Sequence, residues 1–499
     1  MAKHTDAAAS TNVSTGLAPL DDIFNGGYER RRVHLIEGQP GSGKTTLALQ
    51  FLMAARERGE RTLYVTLSEG RDELIHSAAT HGWSLDGIEI YELIPPEFSL
   101  DPNQEQSVVY SSDLELGETV RLVIDCVEKH QPQCVVFDSL SDIKLLAGNP
   151  LRYRRQVLAL KHYFSRKDCT VLFVDDMSDD MPDSNLHSLV HGVLRLEQLT
   201  IAYGAERRRL RIFKMRGRSF RGGYHDYVIR KGGVRIFPRL IAAEHKSDHD
   251  EQAPVSSGVA DLDGLLHGGL DRGTATLIMG PAGSGKSTLS LQYVNAALGR
   301  GEKTLFISFD ETRRNFFRRA TGLHLADGLD EAGERFIFCQ VDPAEMSPGE
   351  LSGLVRDHVD AGASIVVLDS LSGYQNAMPE EQFLLLQMHE LLTYLNQKGV
   401  LTILVLAQHG LLGSMQSPVD LTYLSDTVLL LRFFEADGEL KRAISVVKKR
   451  TGGHEPTIRE YSIDKLGLRV GAPLRNFSGV LTGVPRYVGQ ADVLLEKRS

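Results

Sequence analysis

Two segments of this chain, GQPGSGKT at residues 38–45 and GPAGSGKS at residues 280–287, carry one eight-residue pattern, and their surroundings match as well. The stretch beginning STGLAPLDDIFNGG at Ser14 aligns with SSGVADLDGLLHGG at Ser256. Gly16 pairs with Gly258, Gly26-Gly27 with Gly268-Gly269 and Lys44 with Lys286, always 242 positions apart. Downstream, CVVFDSLSD ending at Asp142 echoes IVVLDSLSG ending at Gly373, and RRLRIFKMRG ending at Gly217 echoes KRAISVVKKR ending at Arg450. Self-similarity over so long a period means two copies of one domain in tandem. The boundaries read as a disordered tail at 1–13, a first domain at 14–243, a charged linker at 244–255 containing EHKSDHDEQAP, a second domain at 256–475 and a C-terminal tail at 476–499. Each copy has the size of a single domain.

Within each copy, short apolar runs such as HLIEG, TLYVTL, CVVFDS and TVLFVD alternate with amphipathic stretches of helical period. Strands that are apolar throughout are covered on both faces, so the fold class predicted is α/β: a mostly parallel sheet flanked by helices. RRLRIFKMRG followed by YHDYVIRKGGVRIF predicts added antiparallel strands at the end of the copy.

GxxxxGK[ST] between a strand and a helix is a phosphate cradle. Its glycines let backbone N–H groups turn inward, and the helix contributes its positive end. The ATP-binding candidates are therefore Gly41, Ser42, Gly43, Lys44, Thr45 and Thr46, and Gly283, Ser284, Gly285, Lys286, Ser287 and Thr288. Lys44 and Lys286 are expected at the β- and γ-phosphates, and Thr45 and Ser287 at Mg²⁺. Asp138 and Asp369 end apolar strands about 90 residues further on and complete the metal candidates. A base is sought after the next strand, where the chain reads Ser68-Glu69 in the first copy and Asp310-Glu311 in the second. Glu69, Asp310 and Glu311 are the catalytic candidates alongside the two lysines. For Glu69 and Glu311 the competing role is an acid that favours a helix start. Lys214 and Arg216 in FKMRG, and Lys448 and Arg450 in VKKRT, flank one residue on a strand and so share a face. They suit cations that reach a neighbouring subunit's phosphate, or else a solvated charged strand.

The ordered set of LDxxxxGG, phosphate loop, acid pair, apolar-Asp-Ser and K-x-R resembles the RecA-like P-loop ATPase fold. The doubled arrangement, above all LSDTVLLLRFFEADGELKRAISVVKKR, resembles the circadian-clock KaiC family, from about Ser14 to Gly483. That resemblance implies a double-ring hexamer with ATP between neighbours. It also implies slow hydrolysis in the first ring and reversible self-phosphorylation on a hydroxyl pair in the second. It strengthens the trans-acting role of Lys214, Arg216, Lys448 and Arg450 in a closed ring. The sequence departs from the family where Ser68 replaces the first of two acids and Asp310 shortens its counterpart. At the hydroxyl pair it has Thr422 and Tyr423, which leaves Thr422 as the phosphoacceptor, with Ser417 and Ser425 nearby. The tail after LTGVP is short, so no clock-style regulatory partner is assumed.

Composition narrows the alternatives. Net charge is −9, and the loop DDMSDDMPD has five aspartates between 175 and 183, while QHGLLGSMQSPVD has neither Lys nor Arg. A RecA-type DNA motor needs cations at those loops, so nucleic acid is not the expected partner. A nucleotide-gated scaffold with little turnover is the other alternative. The four cysteines form no CxxC pair, and the N-terminus lacks a signal-peptide core. No apolar run has the length of a membrane span. The expected setting is cytoplasmic, with self-association as the main partnership.

Overall fold

The computed structural model describes residues 11–93, 112–177, 184–200, 204–241, 253–376, 384–408, 422–436, 438–464, 467–480 and 486–488. The chain divides into two compact units, Met1–Arg239 and Leu240–Ser499.

The first unit is built on one nine-stranded sheet of β1 (Val33–Gly38), β2 (Thr62–Thr66), β3 (Glu89–Glu92), β4 (Cys134–Asp138), β5 (Thr170–Asp176), β6 (Gly192–Leu199), β7 (Arg207–Met215), β8 (His225–Arg230) and β9 (Gly233–Phe237). Their order is β9-β8-β7-β6-β1-β5-β4-β2-β3. The run from β6 to β3 is parallel, and β7, β8 and β9 add antiparallel at one edge.

The second unit repeats this with β10 (Ala275–Gly280), β11 (Lys303–Ser308), β12 (Phe336–Gln340), β13 (Ala363–Asp369), β14 (Leu401–Ala407), β15 (Thr427–Ala436), β16 (Glu439–Lys449), β17 (Arg459–Asp464) and β18 (Gly467–Pro473). Its order, β12-β11-β13-β14-β10-β15-β16-β17-β18, is the same topology. The mostly parallel α/β architecture is as the alternating apolar runs predicted, and the closing antiparallel strands are as RRLRIFKMRG and YHDYVIRKGGVRIF predicted.

Each sheet carries a core on both faces, which is why its strands read as unbroken apolar runs. On β1 and β4, Ile36 and Val136 face one core while Leu35, Val135 and Phe137 face the other, as a two-residue period requires. The helix Lys44–Glu57 buries Leu47, Ala48, Phe51, Leu52 and Ala55 against the sheet, a stripe at helical spacing. The Leu-Asp pair that both copies share has a local task. Asp21 accepts from Ser14 Oγ at 2.5 Å and Thr15 N–H at 2.7 Å, and Asp263 accepts from Ser256 Oγ at 2.5 Å and Ser257 N–H at 2.8 Å. Val13 and Val255, which sit just before these turns, are buried and pair with Tyr28 and Leu270. Residues 242–252, most of the expected linker, lie outside the described residues.

This topology places the C-terminal ends of β1, β2 and β4 on one edge of the parallel sheet. The same holds for β10, β11 and β13. Open α/β sheets bind ligands at that edge.

Candidate functional site

The phosphate loops follow β1 and β10. Gly43 and Gly285 cap the next helix with φ of 88° and 98°, a left-handed backbone that suits glycine. A Cβ on either would also lie 2.4 Å from the Cδ1 of Ile229 or Ile463. Those isoleucines belong to β8 and β17, whose tyrosines brace the same loops. Tyr227 donates its hydroxyl to the Ser42 carbonyl at 2.5 Å, and Tyr461 donates to the Ser284 carbonyl. The antiparallel edge strands therefore hold each loop in shape from behind.

The two loop lysines differ in their surroundings. Lys44 Nζ donates to the carbonyls of Gly38 at 3.0 Å and Gln39 at 2.9 Å, and pairs with Asp176 at 2.6 Å. Lys286 Nζ donates to the Pro281 carbonyl at 2.8 Å. Strand register matches Gly38 with Asp176 and Gly280 with Ala407, so the carboxylate at Lys44 has alanine as its counterpart in the second domain. Burial pushes Lys286 below the usual lysine range, with Asp369 opposing. Asp176 competes with a phosphate for Lys44, but it is 46% exposed and so is partly screened. Asp176→Ala is expected to tighten ATP-analogue binding at the first site by about fivefold, the equivalent of about 1 kcal/mol. Titration calorimetry at low and high salt checks this, and the gain is expected to shrink as salt rises.

Beside each lysine a hydroxyl and a carboxylate converge. Thr45 Oγ1 donates to Asp138 Oδ2 at 3.1 Å, and Ser287 hydrogen-bonds Asp369. Asp138 also accepts from Tyr64 at 2.6 Å, a contact with no counterpart at Phe306. Burial raises Asp138, against the hydrogen bonds of Tyr64 and Thr45. Burial likewise lifts Asp369 to about 6, against Ser287. Hard oxygen donors of this kind fit Mg²⁺, whose charge would favour the anionic form of each carboxylate. The peptide bonds Asp138-Ser139 and Asp369-Ser370 are both cis.

The acid candidates separate. Glu69 is half-buried, and burial followed by Asp138 raises its pKa. Glu311 instead forms a two-pronged pair with Arg319, at 2.6 Å and 3.2 Å. The position matching Arg319 in the first domain is Ser77. Asp310 accepts from Ser370 Oγ at 2.5 Å, next to Asp369. In the first domain the equivalent Ser139 Oγ donates to Asp142 Oδ2 at 2.7 Å.

The cations of the closing strands serve the segment before the strand they pair with. Lys214 donates to the carbonyls of His187 and Val190, and Arg216 to that of Ser188. Lys448 donates to the carbonyls of Thr422 and Ser425, both at 2.7 Å, and Arg450 donates to that of Tyr423 at 2.9 Å. These contacts put His187 and Thr422 at equivalent places. His187 is buried, with Nε2 2.7 Å from Glu37, which also accepts from Arg195 at 2.7 Å. Burial alone would raise Glu37, but His187 and Arg195 outweigh it and hold it low. By register, Met279 and Leu430 replace Glu37 and Arg195 in the second domain.

Sequence reasoning missed Asp142, Asp176, Tyr64, Tyr227 and Tyr461. The signal for the first three was available as differences between the two copies: Asp142 against Gly373, Asp176 against Ala407, Tyr64 against Phe306. Ser417 and much of the two loops weighed for DNA, 178–183 and 409–421, lie outside the described residues. Among the described residues, no helix is long and apolar enough to cross a membrane.

Comparison with known proteins agrees with this geometry. A family model described as "ATPase: KaiC" matches residues 13–241 and again 255–475. A protein of Synechocystis sp. named "Circadian clock protein KaiC3" is 26% identical over 491 residues, covering 96% of this chain and 96% of that protein. The "Circadian clock oscillator protein KaiC" of Acaryochloris marina is 25% identical over 96% of this chain and 92% of its own length. That of Thermostichus vulcanus is 25% identical over 97% and 93%. With both halves matched by the family model, in an order that agrees with two phosphate loops on two RecA-like sheets, the chain belongs to the KaiC family of tandem-domain, ATP-binding ATPases.

Proposed function

We propose that the two sites divide the work: the domain at 14–243 hydrolyses ATP slowly, and the domain at 256–475 transfers the γ-phosphoryl group of ATP to Thr422 of its own kind of chain. The observation that carries this reading is the difference at one structural position. There the first domain has His187 tied to a buried Glu37, and the second has a half-buried threonine.

In the second domain Asp310 is the better base, because Glu311 is committed to Arg319. Thr422 Oγ1 attacks the γ-phosphorus while the bond to the β-phosphate oxygen breaks. ADP leaves, and the hydroxyl proton passes to Asp310. Lys286 stabilises the charge that develops on the phosphates. Mg²⁺, held through Ser287 and Asp369 as through Thr45 and Asp138, would neutralise phosphate charge. In the first domain Glu69 orients and deprotonates a water, and Lys44 takes the part of Lys286.

Thr422 and the loop lysine of one chain need not meet. In a homo-oligomeric ring, for which the family's hexamer is the template, a neighbour supplies the partner site. Arg216 and Arg450, the exposed members of their pairs, then reach the neighbour's phosphates, while Lys214 and Lys448 hold the approach segments in place. We infer a part in clock-like or other signalling by phosphorylation state, in the cytoplasm, a reading supported by relatives named as circadian clock proteins.

The test is ATP consumption by the purified full-length chain together with its native mass. Turnover that stops on Mg²⁺ chelation, by a ring-sized assembly formed with ATP, is the expected result. Tight ATP binding with no turnover would leave a nucleotide-gated scaffold.

A further inference from the structure

The serine that follows each metal-site aspartate has a carboxylate partner in both domains, but the partner comes from different places in the chain. Ser370 Oγ donates to Asp310, which follows β11, at 2.5 Å. Ser139 Oγ donates at 2.7 Å to Asp142, on the helix Leu140–Ala147 that follows β4. The position matching Asp310 is Ser68, and the position matching Asp142 is Gly373. The two arrangements compete. A Cβ added at Gly373 would lie 2.3 Å from Asp310 Oδ1 and 3.0 Å from its Cγ, so a side chain there would have to push the Asp310 carboxylate from its place at Ser370.

We propose that Asp142 is the positioning carboxylate of the first site, making from a new chain position the contact that the loss of an acid at residue 68 removed. This rests on the hydrolytic reading of the first domain. With its proton committed to Asp142, Ser139 Oγ is left as an acceptor. It can then accept from a water whose other proton goes to Glu69, fixing that water beside Asp138. A helix-start role does not account for Asp142, since the matching helix Leu371–Asn376 begins at the same place with Gly373 in its first turn.

The experiment uses full-length protein carrying Lys286→Ala, so that only the first site turns over. Adding Asp142→Gly is expected to lower kcat for ATP hydrolysis about 10–100-fold, with KM and ATP-analogue affinity nearly unchanged. Adding Ser68→Asp together with Asp142→Gly copies the second domain's arrangement and is expected to recover most of the loss. Ser68→Asp with Asp142 retained is expected to add no rate above the Lys286→Ala parent, because Ser139 already has its carboxylate partner. Full kcat in Asp142→Gly overturns the inference and leaves the ATPase reading intact. A loss that the transplanted acid cannot repair also overturns it and makes Asp142 a structural residue. No turnover in the Lys286→Ala parent defeats the hydrolytic reading of the first site, and this inference with it.

Discussion

Incubated with ATP and Mg²⁺, the full-length chain is expected to gain one phosphate, on Thr422, and the Lys286→Ala variant to gain none. Three features of the segment single out this residue. Lys448 donates to the carbonyls of both Thr422 and Ser425, which anchors the segment through its backbone. Ser425 is fully buried, which removes it as an alternative acceptor. Tyr423 is 54% exposed, but its oxygen stands a ring's length further from the backbone, so a base placed for a threonine oxygen cannot serve it. Removing Lys286 takes a charge from the phosphates at the step where charge moves, which typically costs about a hundredfold or more in rate. Intact mass followed by peptide mapping reads the result. Thr422→Val is expected to abolish the added phosphate while leaving ATP consumption in place. Phosphate on Tyr423, or none while ATP is consumed, would sink the autokinase reading.

The elements that could be read from the sequence are those fixed by local chemistry. A loop that must turn its N–H groups inward needs glycine at Gly43 and Gly285, and a parallel strand covered on both faces needs the unbroken apolar run of CVVFD. Comparing the two copies then located the aspartates that end β4 and β13. What stayed hidden depends on side chains that meet across large separations. Asp176 reaches Lys44 from a neighbouring strand, and Tyr227 reaches Ser42 from 185 residues away. Asp310 and Glu311 are adjacent and chemically alike, so their order in sequence could not show that one would be absorbed by Arg319 and the other meet Ser370. The strand cations were legible as a shared face, yet not as anchors of their own approach segments, because the carbonyls they hold carry no sequence signature.

Lys44→Ala is expected to remove most of the ATP turnover and spare the phosphorylation of Thr422, whereas Lys286→Ala is expected to do the reverse. The first site has features of a slow hydrolase. Its lysine is paired with Asp176, and Glu69 is raised by burial and by Asp138, so it is readied to take a proton. The place that Thr422 takes in the second domain is filled by His187, held by Glu37. In the hydrolytic reading a water is then the nucleophile. Loss of Lys44 is expected to lower hydrolysis about a hundredfold or more, and the residual rate measures the second site. In the proposed reading the second site works on Thr422 with Asp310, which lies beside Ser370, as its base, so its ATP is expected to be spent chiefly on Thr422. If Lys286→Ala removed most of the turnover instead, the second domain would be the main hydrolase. The Asp176–Lys44 pair would then mark a first site that holds nucleotide and seldom cleaves it.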